Sequence, residues 1–206
     1  MSRAAVDPEF VARRTATFSL PEGTRVRLRP IVPGDKAVLA EGVRRLSAAS
    51  RYRRFMTPLE ELDEGMLRQL TELDYVDHFA WLALLAEQPG EPAVGVARYV
   101  RLDEEPEVAE AAVTVIDEYQ GRGIGTLLLE ALGAVALENG IGTLRGYVLE
   151  ENRDMRAVLE AVGARITHET PGVLRADVDV AARAEQLRTT PLGEALRALA
   201  RGESSG

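Results

Sequence analysis

From Thr24 the chain alternates, with Val26 and Leu28 set against Arg25, Arg27 and Arg29, the period-two pattern of a strand that turns one face to a core. Pro30 and Pro33 break it, since proline gives no ladder donor. Gly34-Asp35 then stands where a helix carrying Val38, Leu39, Val43 and Leu46 would be capped, and Leu59 to Leu73 is a second amphipathic stretch with Leu62, Met66, Leu70 and Leu73 on one face. Two strands follow, Phe79 to Ala86 and Ala93 to Leu102, joined as a hairpin by Gln88-Pro89-Gly90-Glu91-Pro92. Ala109 to Ile116 reads as another strand, ended by the turn Asp117-Glu118-Tyr119; beyond it Ile124, Leu127, Leu128, Ala131, Leu132 and Val135 recur at helical spacing. Thr143 to Leu149 is strand-like, Asn152 to Val162 is a helix stopped at Gly163, and Val173 to Val180 alternates as a last strand. The pattern predicts one α+β domain.

The ends do not share this regularity. Residues 1–22 show no clean period and are expected to form a flexible extension outside the domain, which is placed at residues 23–180. In the segment 181–206, Leu192, Leu196, Leu199 and Ala200 predict a short amphipathic helix, packed on the domain or on a second subunit. A monomer or a homodimer would accommodate either.

Composition removes several classes of function. No stretch approaches 18 uninterrupted apolar residues and the start lacks a basic-plus-apolar signal, so no membrane association and a soluble cytoplasmic protein are expected. Zero cysteines exclude disulfides, thiolate metal sites and a cysteine acyl-enzyme. A net charge of -8 argues against nucleic acid as a partner and suits a cationic substrate. Lys36 is the single lysine, which arginine-favouring GC-rich coding accounts for. His78 and His168 lie far apart without supporting ligand spacing, so no metal is expected; His78 reads as a hydrogen-bonded residue starting a strand, with a role near the acyl site as the alternative.

The most specific chemistry lies in Gln120-Gly121-Arg122-Gly123-Ile124-Gly125, between the strand of Ala109 to Ile116 and an apolar helix. Unpaired amides at that helix N-terminus, with glycines permitting close approach, suit a pyrophosphate. A dinucleotide-binding fingerprint fits poorly, because the motif comes late and begins with Gln, and a P-loop fails because Gly125-Thr126-Leu127 lacks the lysine.

These residues resemble the Gln/Arg-x-x-Gly-x-Gly/Ala signature of the GNAT superfamily of acetyl-CoA-dependent N-acetyltransferases, with Gln120, Gly123 and Gly125 in the key positions. Ser50-Arg51-Tyr52-Arg53-Arg54-Phe55-Met56, Asp74-Tyr75-Val76-Asp77-His78-Phe79-Ala80-Trp81 and the stretch from Ala109 to Gly125 are similar to the catalytic domain of bacterial Pat-type protein lysine acetyltransferases. The resemblance implies a GNAT fold: a mixed, mostly antiparallel sheet of about six to seven strands with helices on both faces. It implies acetyl-CoA as co-substrate, contacted by Val113, Thr114, Val115, the run Gln120, Gly121, Arg122, Gly123, Ile124, Gly125, Thr126, and Asn152, whose other role is a helix N-cap. It places the oxyanion donor at the Thr114 amide and the base at Glu110. Many members carry a tyrosine acid where this chain has Leu159, which leaves the acid unassigned. Family members often have an upstream cyclic-nucleotide-binding or synthetase-like domain; this chain shows neither, so ligand control of that kind is not expected.

Elementary chemistry points to the same carboxylate. A lysine amine with a pKa near ~10.4 is protonated at neutral pH and must lose a proton before it attacks a thioester. Glu110, among Ala109, Ala111 and Ala112, is expected to be buried enough to take it; the alternative is a charge on a wet strand face. Glu110 to Ile116 spans roughly 20 Å in extended chain, similar to a pantetheine arm. Asp103, Glu104, Glu105, Glu107, Asp117 and Glu118 read by default as a solvated charge run, and otherwise Asp103 to Glu107 steers a basic protein surface. Arg51, Arg53 and Arg54, beside Tyr52, read as a helix surface or partners of acidic residues, with substrate contact as the other reading. The resulting expectation is direct acetyl transfer to an exposed lysine of a protein, an acyl-CoA synthetase by resemblance. An acetyltransferase of a small amine or antibiotic, and a non-catalytic acyl-CoA sensor, are the rivals.

Overall fold

A computed structural model describes residues 6–203. Eight strands form one sheet in the order β1-β2-β3-β4-β5-β6-β8-β7: β1 (Ala16–Ser19), β2 (Arg25–Pro30), β3 (His78–Leu85), β4 (Ala93–Arg101), β5 (Val108–Val115), β6 (Thr143–Leu149), β7 (Arg165–Thr170) and β8 (Val173–Asp179). Every neighbouring pair is antiparallel except β5 and β6, which are parallel.

The expected six to seven strands become eight because β1 and β7 carry no readable alternation. β1 is four residues long and lies inside the stretch set aside as an extension, yet it pairs with β2 from Ala16↔Leu28 to Ser19↔Arg25. Ahead of it, α1 (Pro8–Arg13) is capped by Asp7, and Phe10 packs on Tyr75 with ring centroids 4.8 Å apart. β7 is exposed along nearly its whole length, so burial imposes no pattern on it; pairing with β8 holds it in place.

Helices cover both faces. On one, α5 (Ile124–Glu138) buries Leu128 and Leu132 completely against Phe79, Trp81 and Tyr99, with α6 (Arg153–Ala161), α7 (Val180–Gln186) and α8 (Pro191–Arg201) around it. On the other, α2 (Lys36–Arg45), α3 (Ala48–Phe55) and α4 (Glu64–Thr71) lie over Ala80, Leu82 and Leu84. β3 therefore buries both its faces, which explains the unbroken apolar run from Phe79 to Leu85.

Local details revise two helix ends. The stretch from Leu59 to Leu73 is helical only over α4, where the Asp63 carboxylate accepts from the Met66 amide at 2.8 Å and sets the start. Asp35 does not cap α2. Its carboxylate, nearly fully buried, accepts from the Val32 amide at 2.8 Å and from both terminal nitrogens of Arg29 at 2.7 Å. α8 fulfils the expectation for the terminal segment, burying Leu196, Leu199 and Ala200. No helix among the described residues is long and apolar enough to cross a membrane.

Candidate active site

β5 and β6 pair over only three positions, Val108↔Thr143, Ala109↔Leu144 and Glu110↔Arg145. β5 then runs on to Val115 and β6 to Leu149 without further pairing, so the strands part. The opening is a cleft of about 410 Å³, bounded by β5, by Gln120 and Gly121, by the start of α5, by Tyr147 and Val148 of β6, and by Asn152 and Leu159.

The free edge of β5 has a defined set of donors. Ile116 donates its amide to Val94 and Leu102 donates to Val108, both at 2.9 Å, and the β4–β5 register runs between them without a shift. In an antiparallel ladder alternate residues face the partner strand. The amides of Glu110, Ala112 and Thr114 therefore point to β4, while those of Val113 and Val115 point into the cleft. This corrects the Thr114 assignment, which depended on a bulge that β5 lacks; of the two amides that face the cleft, Val113 is the one nearer Glu110. Gln120 closes the outer end of the edge, its side-chain amide donating to the Val115 carbonyl at 2.9 Å.

At that outer end α5 presents its N-terminus. Its first intrahelical bond runs from the Leu127 amide to Gly123 at 3.0 Å, so the amides of Ile124, Gly125 and Thr126 have no partner in the helix. Gly121 and Gly123 take left-handed φ of 73° and 87°, a conformation that side chains resist. A Cβ on Gly125 would stand 3.7 Å from Val158 and 3.8 Å from Val115, so its absence keeps this end of the cleft open. Two expected contacts are narrowed. The Ile124 side chain is buried in the core, leaving only its amide, and Arg122 lies over the Tyr119 ring, 5.1 Å from its centroid, outside the cleft lining. Asn152 caps α6, accepting from the Met155 amide at 3.2 Å, and also lines the cleft.

Glu110 sits where the strands begin to part. It is exposed, contrary to the expectation from its alanine neighbours: those face either the opposite side of the sheet or the next row along, so they do not enclose the carboxylate. Above it, α3 is fastened by Asp117, whose carboxylate accepts from the Ser47 amide at 3.1 Å, the Ser47 hydroxyl at 2.8 Å and the Ser50 hydroxyl at 2.7 Å. Burial alone would raise the Asp117 pKa, but these bonds outweigh it and hold it below the usual aspartate value. Asp117 is thus an anchor rather than a member of a solvated run. A lowered folded pKa means that this contribution is full above the free-aspartate value near ~3.9 and is lost as pH falls through the folded value. Asp117→Ala should therefore destabilise the protein at neutral pH, and the deficit should shrink only once the pH falls below the free-aspartate value, read as urea midpoints across an acid pH series.

The α3 arginines separate. Arg51 donates to the Leu46 carbonyl at 2.6 Å, whereas Arg53 and Arg54 line the cleft. Arg54 is near enough to Glu110 for the carboxylate to favour its charge, although burial has the larger, opposite effect and lowers its pKa. Ser50, Arg54 and Tyr147 are cleft residues that periodicity did not single out: α3 is a short polar helix, and Tyr147 occupies an ordinary strand position. Glu105 is bound by Arg145 at 2.7 Å, and Arg145 also binds Asp177 at 3.0 Å, so only Asp103, Glu104 and Glu107 of that acidic loop remain exposed without such ties. His78 starts β3 and faces Arg98 through Nε2; His168 is exposed on β7. Among the described residues no His, Asp and Glu cluster is placed to hold a metal.

A parallel pair that parts in a mostly antiparallel sheet, with a glycine-rich helix N-terminus at the opening, defines a GNAT acetyltransferase domain. The sequence matches that family, the acetyltransferase (GNAT) domain, over residues 25–165, and the chain belongs to it. It is 37% identical over 174 residues to acetyltransferase Pat of Mycolicibacterium smegmatis, across 82% of this chain and 51% of that protein. It therefore spans about half the length of that relative. An acetyltransferase of Pseudomonas aeruginosa is 35% identical over 145 residues, covering 70% of this chain and 77% of that one. Among solved structures, the GNAT domain of S. lividans PAT superposes with a TM-score of 0.75 at 31% identity, covering 82% of this chain and 98% of that one. The cAMP-binding acyltransferase from Mycobacterium smegmatis superposes with a TM-score of 0.62 at 31% identity, covering 94% and 55%.

Proposed function

We propose that the protein transfers an acetyl group from acetyl-CoA to the ε-amine of a protein lysine, by direct attack with Glu110 as general base. The observation that carries this reading is the parting of β5 from β6 just beyond Glu110, which opens a cleft that runs along the β5 edge to the α5 N-terminus. Coenzyme A would lay its pyrophosphate on the amides of Ile124, Gly125 and Thr126 and pair its pantetheine amides with the β5 edge as an added strand. The Val113 amide, facing the cleft, would hold the thioester oxygen as negative charge develops there.

The amine arrives from the α3 side, where the Glu110 carboxylate is exposed. Its nitrogen attacks the thioester carbon, its proton passes to Glu110 directly or through one water, and the C–S bond breaks with the electron pair leaving on sulfur. Exposure lets Glu110 return the proton to bulk water. Likeness to Pat-type enzymes supports a lysine of an acyl-CoA synthetase as acceptor, and an open mouth suits a macromolecular surface. Incubating the pure protein with labelled acetyl-CoA, an acyl-CoA synthetase and a panel of small amines tests the acceptor: label in the synthetase supports the reading, and label only in small amines overturns it.

Asp103, Glu104 and Glu107 stand on the loop just before β5. If they steer a basic surface, kcat/KM for a cationic protein acceptor should fall several-fold between about 50 and 500 mM salt as screening shortens the field, while KM for acetyl-CoA shifts independently of these three residues. A salt response unchanged when all three are replaced by Asn or Gln would rule steering out.

A further inference from the structure

Arg98 and Arg54 share a place where arginines are costly. Arg98, on β4, is 6% exposed and has two partners for its guanidinium, the Leu70 carbonyl at 3.2 Å and His78 Nε2, neither of them a carboxylate. Among the described residues Arg54 has no hydrogen-bond or ion-pair partner; its guanidinium lies over the Phe55 ring at 5.0 Å. Both line a second cavity of about 70 Å³ between α2, α3 and the sheet, whose other walls include Leu39, Val43, Leu82 and Val96. Burial, and then the charge of Arg54, push the Arg98 pKa down to about 9. Glu110 attracts Arg54 but forms no ion pair with it. Two cations in an apolar cavity with no carboxylate bonded to either are unfavourable unless something supplies the missing negative charge.

The cavity is not isolated. It meets the coenzyme cleft at β5, because Arg54, Ala112 and Thr114 line both. Its volume is several times the ~10–15 Å³ that one water needs, enough for a chain of a few atoms beyond the thioester carbon held at Val113.

We propose that this cavity receives the tail of the acyl group, and that Arg54 and Arg98 fit it to a short chain ending in a carboxylate, so that a dicarboxylic acyl-CoA of the succinyl class is a donor alongside acetyl-CoA. The proposal rests on the cleft being an acyl-CoA site. The guanidinium groups offer paired donors that match a carboxylate, and the apolar walls take the intervening methylenes. The transfer balances as for acetyl: the amine nitrogen bonds to the thioester carbon, the C–S bond breaks, sulfur leaves with the electron pair and the amine proton goes to Glu110. The product is an amide whose free carboxylate replaces the charge of a lysine with one of opposite sign.

Stable thioether analogues separate this proposal from the reading beneath it. Calorimetry would compare S-(3-carboxypropyl)-CoA with S-butyl-CoA on the intact protein, and the same pair on Arg98→Met and Arg54→Met. The wild type should bind the carboxylate analogue roughly 10- to 100-fold more tightly, and each variant should collapse that ratio toward one. If Arg98→Met does not fold, the partly exposed Arg54→Met still reads the ratio. Tight binding of S-butyl-CoA with no preference for the carboxylate, or a preference that survives both substitutions, overturns the proposal alone; failure of both analogues to bind overturns the acyl-CoA reading with it.

Discussion

Glu110→Gln should cut turnover by roughly 10² to 10⁴ and leave the dissociation constant for acetyl-CoA within about twofold. The substitution keeps the size of the side chain and its place beside Arg145 in the sheet, but an amide cannot accept a proton from an ammonium group. In the proposed mode, coenzyme binding would draw on the β5 edge amides and the α5 N-terminus, none of which involves the side chain at 110. The expected signature is therefore a loss in kcat with acetyl-CoA affinity preserved, measured by steady-state kinetics with calorimetry alongside. Because lysine is almost wholly protonated near neutrality, raising the pH supplies free amine and should narrow the gap between variant and wild type. Unchanged turnover in the variant would remove Glu110 from the mechanism and leave a base elsewhere or none.

Gly125→Leu should weaken acetyl-CoA binding by about 10²-fold or more without lowering stability. A Cβ there meets Val158 and Val115 at ordinary contact distance, and Gly125 lines the cleft, so the rest of the new side chain has the cleft between α6 and β5 to extend into. It would displace the pyrophosphate from the first-turn amides of α5. Losing two charge-assisted hydrogen bonds, at about 1.5–3 kcal/mol each, corresponds to at least that factor in affinity. Leucine also favours a helix over glycine by close to ~0.8 kcal/mol, so the melting temperature should hold or rise while affinity collapses. Native affinity in this variant would mean that the phosphates do not lie at this helix end.

Most elements were legible because burial forces a period on them. β3, β4, β5, β6 and β8, with α2, α5 and α6, appear close to where apolar spacing puts them. β7 escaped because it is wet on nearly every residue, and β1 because four residues are too few to show a period. α3 escaped because it is short and polar and is held by the Asp117 carboxylate, which meets Ser47 and Ser50 from a distant part of the chain. No local window contains that contact.

The site divides along the same line. A glycine run between a strand and an apolar helix, read alone, already located a helix N-terminus with unpaired amides, because backbone amides and left-handed φ at Gly121 and Gly123 are properties of a few adjacent residues. The zero cysteine count likewise excluded a thiol acyl-enzyme from composition alone. Register and enclosure were decided only in three dimensions. Unbroken pairing of β4 with β5 turned the Thr114 amide away from the cleft and Val113 toward it, and the parting of β6 left Glu110 exposed at the mouth. Packing of α3 brought Arg54 to a cavity it shares with Arg98, from strands and helices more than forty residues apart. Hydrogen-bond direction, exposure and cavity walls are set by which segments pair and pack, and those partners are distant in the chain.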